Sequence, residues 1–300
     1  MPLATCPPEP IKAPDPIPFI SQGNINFKAH DVGWLLCGIF TLVSVLASFW
    51  LILKHLTYYS TPYQQRHIVR ILLLVPIYST VSFLSYLFYR HAIYYQTLRD
   101  CYEAVVLTDF FYLILSYVGE TSHEHDLVFR NLKLKKWVWP LGRWSYRPSS
   151  GHHFLLLMKV SILQYAILRP LCTFISVGLE YFGLYCLKSW SPSFGHIYMS
   201  LTITISVTVA MYCIIQFYVP IRDRVDPFKP VLKFLAIKSV VFLTFWQDGL
   251  LSLLVYFGAI KESEYWTATE IQVGLNALLT CFEMMLFSFL HIKAFSYLPY

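Results

Sequence analysis

Long apolar runs alternate with short polar connections along almost the whole chain. Seven runs stand out, at roughly 32–54, 69–89, 103–119, 156–178, 196–219, 234–257 and 271–292. Each has about 17–24 residues, enough at ~1.5 Å per residue for a helix to cross a ~30 Å hydrocarbon core. The third is the shortest and most polar. The pattern predicts an all-α membrane protein with seven transmembrane helices and a membrane domain over 32–293. Ahead of it, residues 1–31 begin MPLATCPPEPIKAPDPIPF. So dense a proline pattern reads as an extended tail, and it holds no apolar segment of the signal-peptide type. Residues 294–300 form a short closing tail.

Composition sharpens this picture. Hydrophobic residues make up 56% of the 300 and charged residues only 13%. A soluble domain carries roughly twice that charged share. The net charge of +6 therefore does not point to nucleic acid; in a multi-pass chain, excess Lys and Arg mark cytoplasmic loops. One set of connections and edges, from Lys54 to Lys293, holds fourteen basic residues, and the opposite set, from Lys12 to Lys261, holds six. The asymmetry predicts an N-terminus outside or lumenal and a C-terminus in the cytoplasm. Residues 120–155 then form the longest cytoplasmic loop. Its stretch LKLKKWVWPL suits either an ordinary basic loop or a segment lying on an anionic leaflet.

Ionisable groups inside membrane spans are costly and are the first candidates for function. Span three carries Asp109 on a face with Thr108, Tyr112 and Ser116. Span four carries Lys159, Gln164 and Arg169 beside Pro170. Span five carries Thr202, Ser206, Cys213 and Gln216. Span six carries Lys238, Gln247 and Asp248, and span seven aligns Gln272, Asn276, Thr280 and Glu283. Helical depth predicts two polar layers. An outer one holds Asp109, Arg169, Asp248, Asn276 and Thr280, with Arg169 as counter-charge to Asp109 or Asp248. An inner one holds Lys159 and Lys238, near enough to the boundary to snorkel or to reach Glu283. Phe242, Phe245 and Trp246 put an aromatic surface beside Lys238. Cation and apolar face together suit an amphipathic anion.

The remaining chemistry is sparse. Among seven cysteines there is no C-x-x-C pair; Cys101 and Cys186 share the predicted outer side, where a bridge between them is open. His123, His125 and Asp126, and the pair His152 and His153, sit in one loop without an HExxH motif. No phosphate-binding loop, nucleophile elbow or dinucleotide fingerprint occurs. The sequence gives no support to catalysis, a metal or an organic cofactor.

Several stretches resemble the transmembrane protein 184 / organic solute transporter alpha family. KFLAIKSVVFLTFWQ at 233–247 is similar to the family's signature. Asp100, Tyr102, Glu103 and Ala104 match its D-x-Y-E-A entry to span three, and Gly119-Glu120 its G-G-E exit, with Val118 in place of the first Gly. Lys159, Leu163-Gln164 and Arg169-Pro170 resemble its K…LQ…KP run, with Arg for the usual Lys. Glu283-Met284, His291 and Ala294-Phe295 match its close. The likeness runs from about residue 32 to the end. It implies a seven-helix, N-out protein whose best-studied branch moves bile acids and conjugated steroids down their gradients with a single-span beta subunit. Plant members are linked to the vacuolar membrane. The transporter branch's cysteine-rich cytoplasmic segment has no counterpart here, since 120–155 contains no Cys.

The sequence thus predicts a facilitative transporter of amphipathic organic anions or lipid-like solutes, in the plasma membrane or an endomembrane. Its partners would be the lipid bilayer, the solute, and a beta-type subunit or a second copy. The alternative is a seven-span receptor or membrane-organising factor acting through the basic loop.

Overall fold

A computed structural model describes residues 20–21, 24–25, 29–88, 92–119, 121–130, 137, 151–185, 192–262 and 266–298. A two-residue hairpin, β1 (Ile20–Ser21) against β2 (Asn24–Ile25), precedes nine helices among the described residues. These are α1 (Ala29–Thr57), α2 (Pro62–Leu72), α3 (Leu74–Leu87), α4 (Ala92–Val118), α5 (Ser122–Arg130), α6 (Gly151–Tyr181), α7 (Gly195–Val225), α8 (Pro230–Tyr256) and α9 (Ala268–Ala294). Seven spans are long and apolar enough to cross a membrane, with α2 and α3 sharing the second one, Pro62–Leu87. The break between those two has a local cause. Pro76 has no N–H to offer the Leu72 carbonyl, and its ring crowds that carbonyl. The helix yields at Leu73 and resumes, with Ile77 donating to the Leu73 carbonyl at 3.1 Å.

The third span departs most from the sequence boundaries. It starts at Ala92, not near residue 103, so Arg99, Asp100 and Cys101 are helical. Those charges lower the local hydropathy and hide the helix start. They are tolerated because each has a partner: Asp100 is ion-paired with Arg169, and the Arg99 guanidinium lies 4.9 Å from the Tyr78 ring centre. Cys101 carries a free thiol that donates to Thr173 Oγ1 at 3.5 Å. Cys186, the other end of the bridge left open by the sequence, lies outside the described residues.

The chain divides into two compact units, with boundaries falling inside α2 and α4. The first contains Thr61–Ile68 and Asp100–Pro230. Here α6 and α7 pack along each other, and α5 packs on α6. Phe111 meets Phe217 edge-on at 4.8 Å, and Phe129 of α5 stacks on the same Phe217 at 5.7 Å. Gly151 lets α6 start against α5, since a Cβ there would collide with the Phe129 carbonyl. The 3₁₀ turn Asp226–Phe228 ends at Lys229, whose φ of 49° puts it in the left-handed region ahead of Pro230. Most of loop 120–155 outside α5 lies outside the described residues; of LKLKKWVWPL only Trp137 is described, and its indole stacks on Tyr212 of α7 at 6.0 Å.

The second unit contains Pro8–Ser60, Val69–Arg99 and Val231–Tyr300. In it α1, α3 and α9 pack on one another. Small residues let them approach closely, as is usual for helices in lipid. Ser44, Ser48, Ser79, Ser82, Ser85 and Ala277 are all buried. Thr41 donates to the Ser79 carbonyl at 3.4 Å, and Ser44 to the Met284 carbonyl at 3.3 Å. A capping box starts α9: Thr267 accepts from the Glu270 N–H, while the Glu270 carboxylate accepts from the Thr267 N–H. At the other end, Lys54 lies about 6 Å from the rings of Trp50, Tyr58 and Tyr297, so the C-terminal turn is tied to α1.

Candidate functional site

Many hydroxyls in the spans are satisfied by their own helix. Thr108, Ser116, Thr202 and Thr244 each donate to a carbonyl three or four residues earlier. Such back-bonding needs no second helix. The charged and amide side chains behave differently, since nearly all of those with visible partners reach across to another helix.

In the first unit they form two layers and a link between them. Toward the N-terminal end of α6 lies a cluster around Asp109. His67 Nδ1 is 2.7 Å from Asp109 Oδ1, and both side chains are buried, at 7% and 5% exposure. Arg66 donates its Nε–H to His67 Nε2 at 3.2 Å. In this arrangement Nε2 faces Arg66 and Nδ1 faces the Asp109 carboxylate. The Tyr112 ring stacks on His67 at 5.8 Å, and Lys159 Nζ lies 5.7 Å from the centre of that ring. Farther along α6, Gln164 and Ser206 of α7 bond reciprocally: Gln164 Nε2 donates to the Ser206 carbonyl and Ser206 Oγ to Gln164 Oε1, both at 2.9 Å. Beyond them is the Arg169–Asp100 pair, with Tyr165 buried nearby and Glu103 buried on α4.

This rearranges the expected layers. Because α4 starts early, Asp109 is ~26 Å along the helix from Ala92 and only ~14 Å from Val118. It therefore shares a level with Lys159, and its partner is His67, not Arg169. The expected pairing of Arg169 with Asp109 or Asp248 is replaced by pairing with Asp100. His67 escaped the sequence reading because it precedes the apolar run drawn from residue 69. Its signal was the amphipathic start of α2, where Gln65 and His67 are buried while Arg66 is exposed.

In the second unit the polar residues join α8 to α9. Gln247 Nε2 donates to Asn276 Oδ1 at 2.6 Å and lies 3.3 Å from Thr280 Oγ1. Asn276 Nδ2 donates to Asp248 Oδ1 at 3.2 Å, and Gln272 Nε2 to Ser252 Oγ at 2.8 Å. The result is a ladder of side-chain bonds along one seam. Glu283 continues the same stripe, but its buried Oε2 has no hydrogen-bond partner among the described residues. No ion pair joins Lys238 to Glu283 among the described residues. Lys238 is half-buried, whereas Phe242 and Trp246 are each 60% exposed and pack edge-on at 6.0 Å. The side chain of Phe245 lies outside the described residues. No group of three or more His, Cys, Asp or Glu able to hold a metal ion occurs among the described residues.

Seven helices long and apolar enough to cross a membrane mark an integral multi-pass membrane protein. The chain belongs to the organic solute transporter Ostalpha family, whose model matches residues 33–300. It is 36% identical over 264 residues to a transmembrane protein 184 homolog of Dictyostelium discoideum, covering 87% of this chain and 52% of that protein. It is 31% identical over 281 residues to protein LAZ1 homolog 1 of Arabidopsis thaliana, covering 89% of this chain and 57% of that protein. The chain thus spans little more than half the length of these two relatives. No solved structure matches it.

Proposed function

We propose that the protein is a facilitative transporter of amphipathic organic anions or lipid-like solutes, oriented with its N-terminus outside or lumenal, in the plasma membrane or an endomembrane. The observation that carries the reading is the surface of α8. Phe242 and Trp246 present exposed rings one and two turns from Lys238 on the same helix. A steroid-like body would rest on the rings while its anionic group meets the ammonium. Lys159, Gln164, Arg169 and Asp109 in the first unit are proposed as further polar contacts for the solute, and so, separately, are Gln247, Asp248, Asn276 and Glu283 in the second. A single-span beta-type subunit or a second copy is the proposed partner.

Flux of labelled steroid sulfates and taurine conjugates into proteoliposomes tests this, with sidedness set by protease accessibility of an N-terminal tag. Downhill flux is expected. Phe242→Ala and Trp246→Ala should each weaken solute affinity by up to about tenfold, the equivalent of ~1.4 kcal/mol of lost ring contact. Absence of flux across the panel, with and without a beta-type partner, would sink the reading.

A further inference from the structure

We infer that the face of α8 from Lys238 to Asp248 is a two-ended track for amphipathic anions that carry a hydroxyl about 15 Å from their charged group, the span of these two residues along the helix. The inference rests on the transport reading and narrows its solute class. At ~100° per residue, Lys238, Phe242, Asp248, Gly249 and Ser252 fall within one ~120° sector of α8. Lys238 is half-buried and the other four are exposed. The two charges mark the ends. Between them Gly249 has no side chain, and a Cβ placed there would meet no atom within 4 Å. The floor beside Phe242 is therefore bare backbone, open to a flat apolar body.

The Asp248 end is held in place by its neighbours. Gln247 donates to Asn276 Oδ1 at 2.6 Å, which turns Asn276 Nδ2 toward Asp248 Oδ1 at 3.2 Å. Ser252 Oγ donates to the Asp248 main-chain carbonyl and accepts from Gln272, both at 2.8 Å. Arg99 of α4 attracts the same carboxylate. A carboxyl group has several hydrogen-bonding positions, and Asn276 takes only one of them. Asp248 stays exposed, and an ionisable group exposed at membrane depth faces water or a polar ligand, not lipid chains. A hydroxyl suits this end because it both donates and accepts. At the other end a sulfate or carboxylate meets the Lys238 ammonium. The reverse placement would set the anion beside Asp248, so the track also fixes which way round the solute lies.

Equilibrium binding to the full chain in lipid nanodiscs tests the track, with flux into proteoliposomes measured alongside. The two radiolabelled probes are a saturated steroid sulfate with a hydroxyl on the ring farthest from the sulfate, and its deoxy counterpart. The wild type should bind the hydroxylated probe about tenfold tighter, the scale of one net hydrogen bond. Asp248→Ala should erase that difference, whereas Lys238→Gln should weaken both probes alike. Gly249→Leu should also weaken both, by filling the open floor. Because its Cβ meets no neighbouring atom, it keeps the test open if the Asp248 variant fails to fold. Equal wild-type affinity for the two probes, a preference that survives Asp248→Ala, or affinities indifferent to Gly249→Leu overturns the track. Flux of both probes without discrimination removes the track and leaves the transport reading. Discriminating binding without flux does the reverse, and binding of neither probe overturns both.

Discussion

Arg169 shows how far a single residue could be read. A guanidinium within a span needs a counter-charge, because a charge at membrane depth is costly alone. That much was legible. The partner was not, because Asp100 appeared to lie ahead of the third span. With both side chains under a third exposed, at 18% and 27%, removing one leaves the other poorly compensated. Arg169→Met is expected to destabilise the first unit by roughly 3 kcal/mol, measured by denaturant titration in mixed micelles. Exchanging the two, Asp100→Arg with Arg169→Asp, should recover most of the loss, whereas pairing Arg169→Asp with Asp109→Arg should recover none. His67 teaches the complementary lesson. The amphipathic start of α2 marks it as a buried position, but only the three-dimensional approach of α2 to Asp109 gives it a partner.

At the level of helices, the stripe on α9 met a polar partner, while Thr202 of the span-five stripe is exposed and bonds its own helix. Gln272, Asn276 and Thr280 were aligned by their spacing alone, and they face Gln247, Asp248 and Ser252. Such periodicity is readable because a helix places every third or fourth residue on one side. What periodicity cannot supply is where a helix begins when charges interrupt the apolar run, as at α4, or where it yields, as at Leu73 above Pro76. The α8–α9 seam joins its helices through amide groups, each able to serve several partners. A double-mutant cycle on Gln247→Leu and Asn276→Leu should give a coupling of about 1 kcal/mol, between the ~0.6 typical of side-chain hydrogen bonds in a membrane helix bundle and the ~1.7 maximum. A coupling near zero would mean that the seam's bonds are replaced by water or lipid at no loss.

On the scale of the whole molecule, seven spans followed directly from hydropathy, while the division into two compact units did not. The division depends on which helices lie side by side, and apolar runs of similar composition carry no label for that. The seam on α8 has a consequence for how the chain is made. Ribosomes deliver α8 before α9, so Gln247 and Asp248 enter the membrane before Asn276 exists to receive them. An aspartate near the middle of a span costs ~2.5–3.5 kcal/mol at the insertion machinery. Chains ended just after α8 should therefore integrate that segment poorly, and chains extended through α9 should integrate it well. Glycosylation acceptor sites placed in the α8–α9 connection of nascent chains would report the difference. Replacing Asp248 with Leu should let α8 insert without waiting for its neighbour. The last two helices would then be a single unit of biosynthesis as well as of structure.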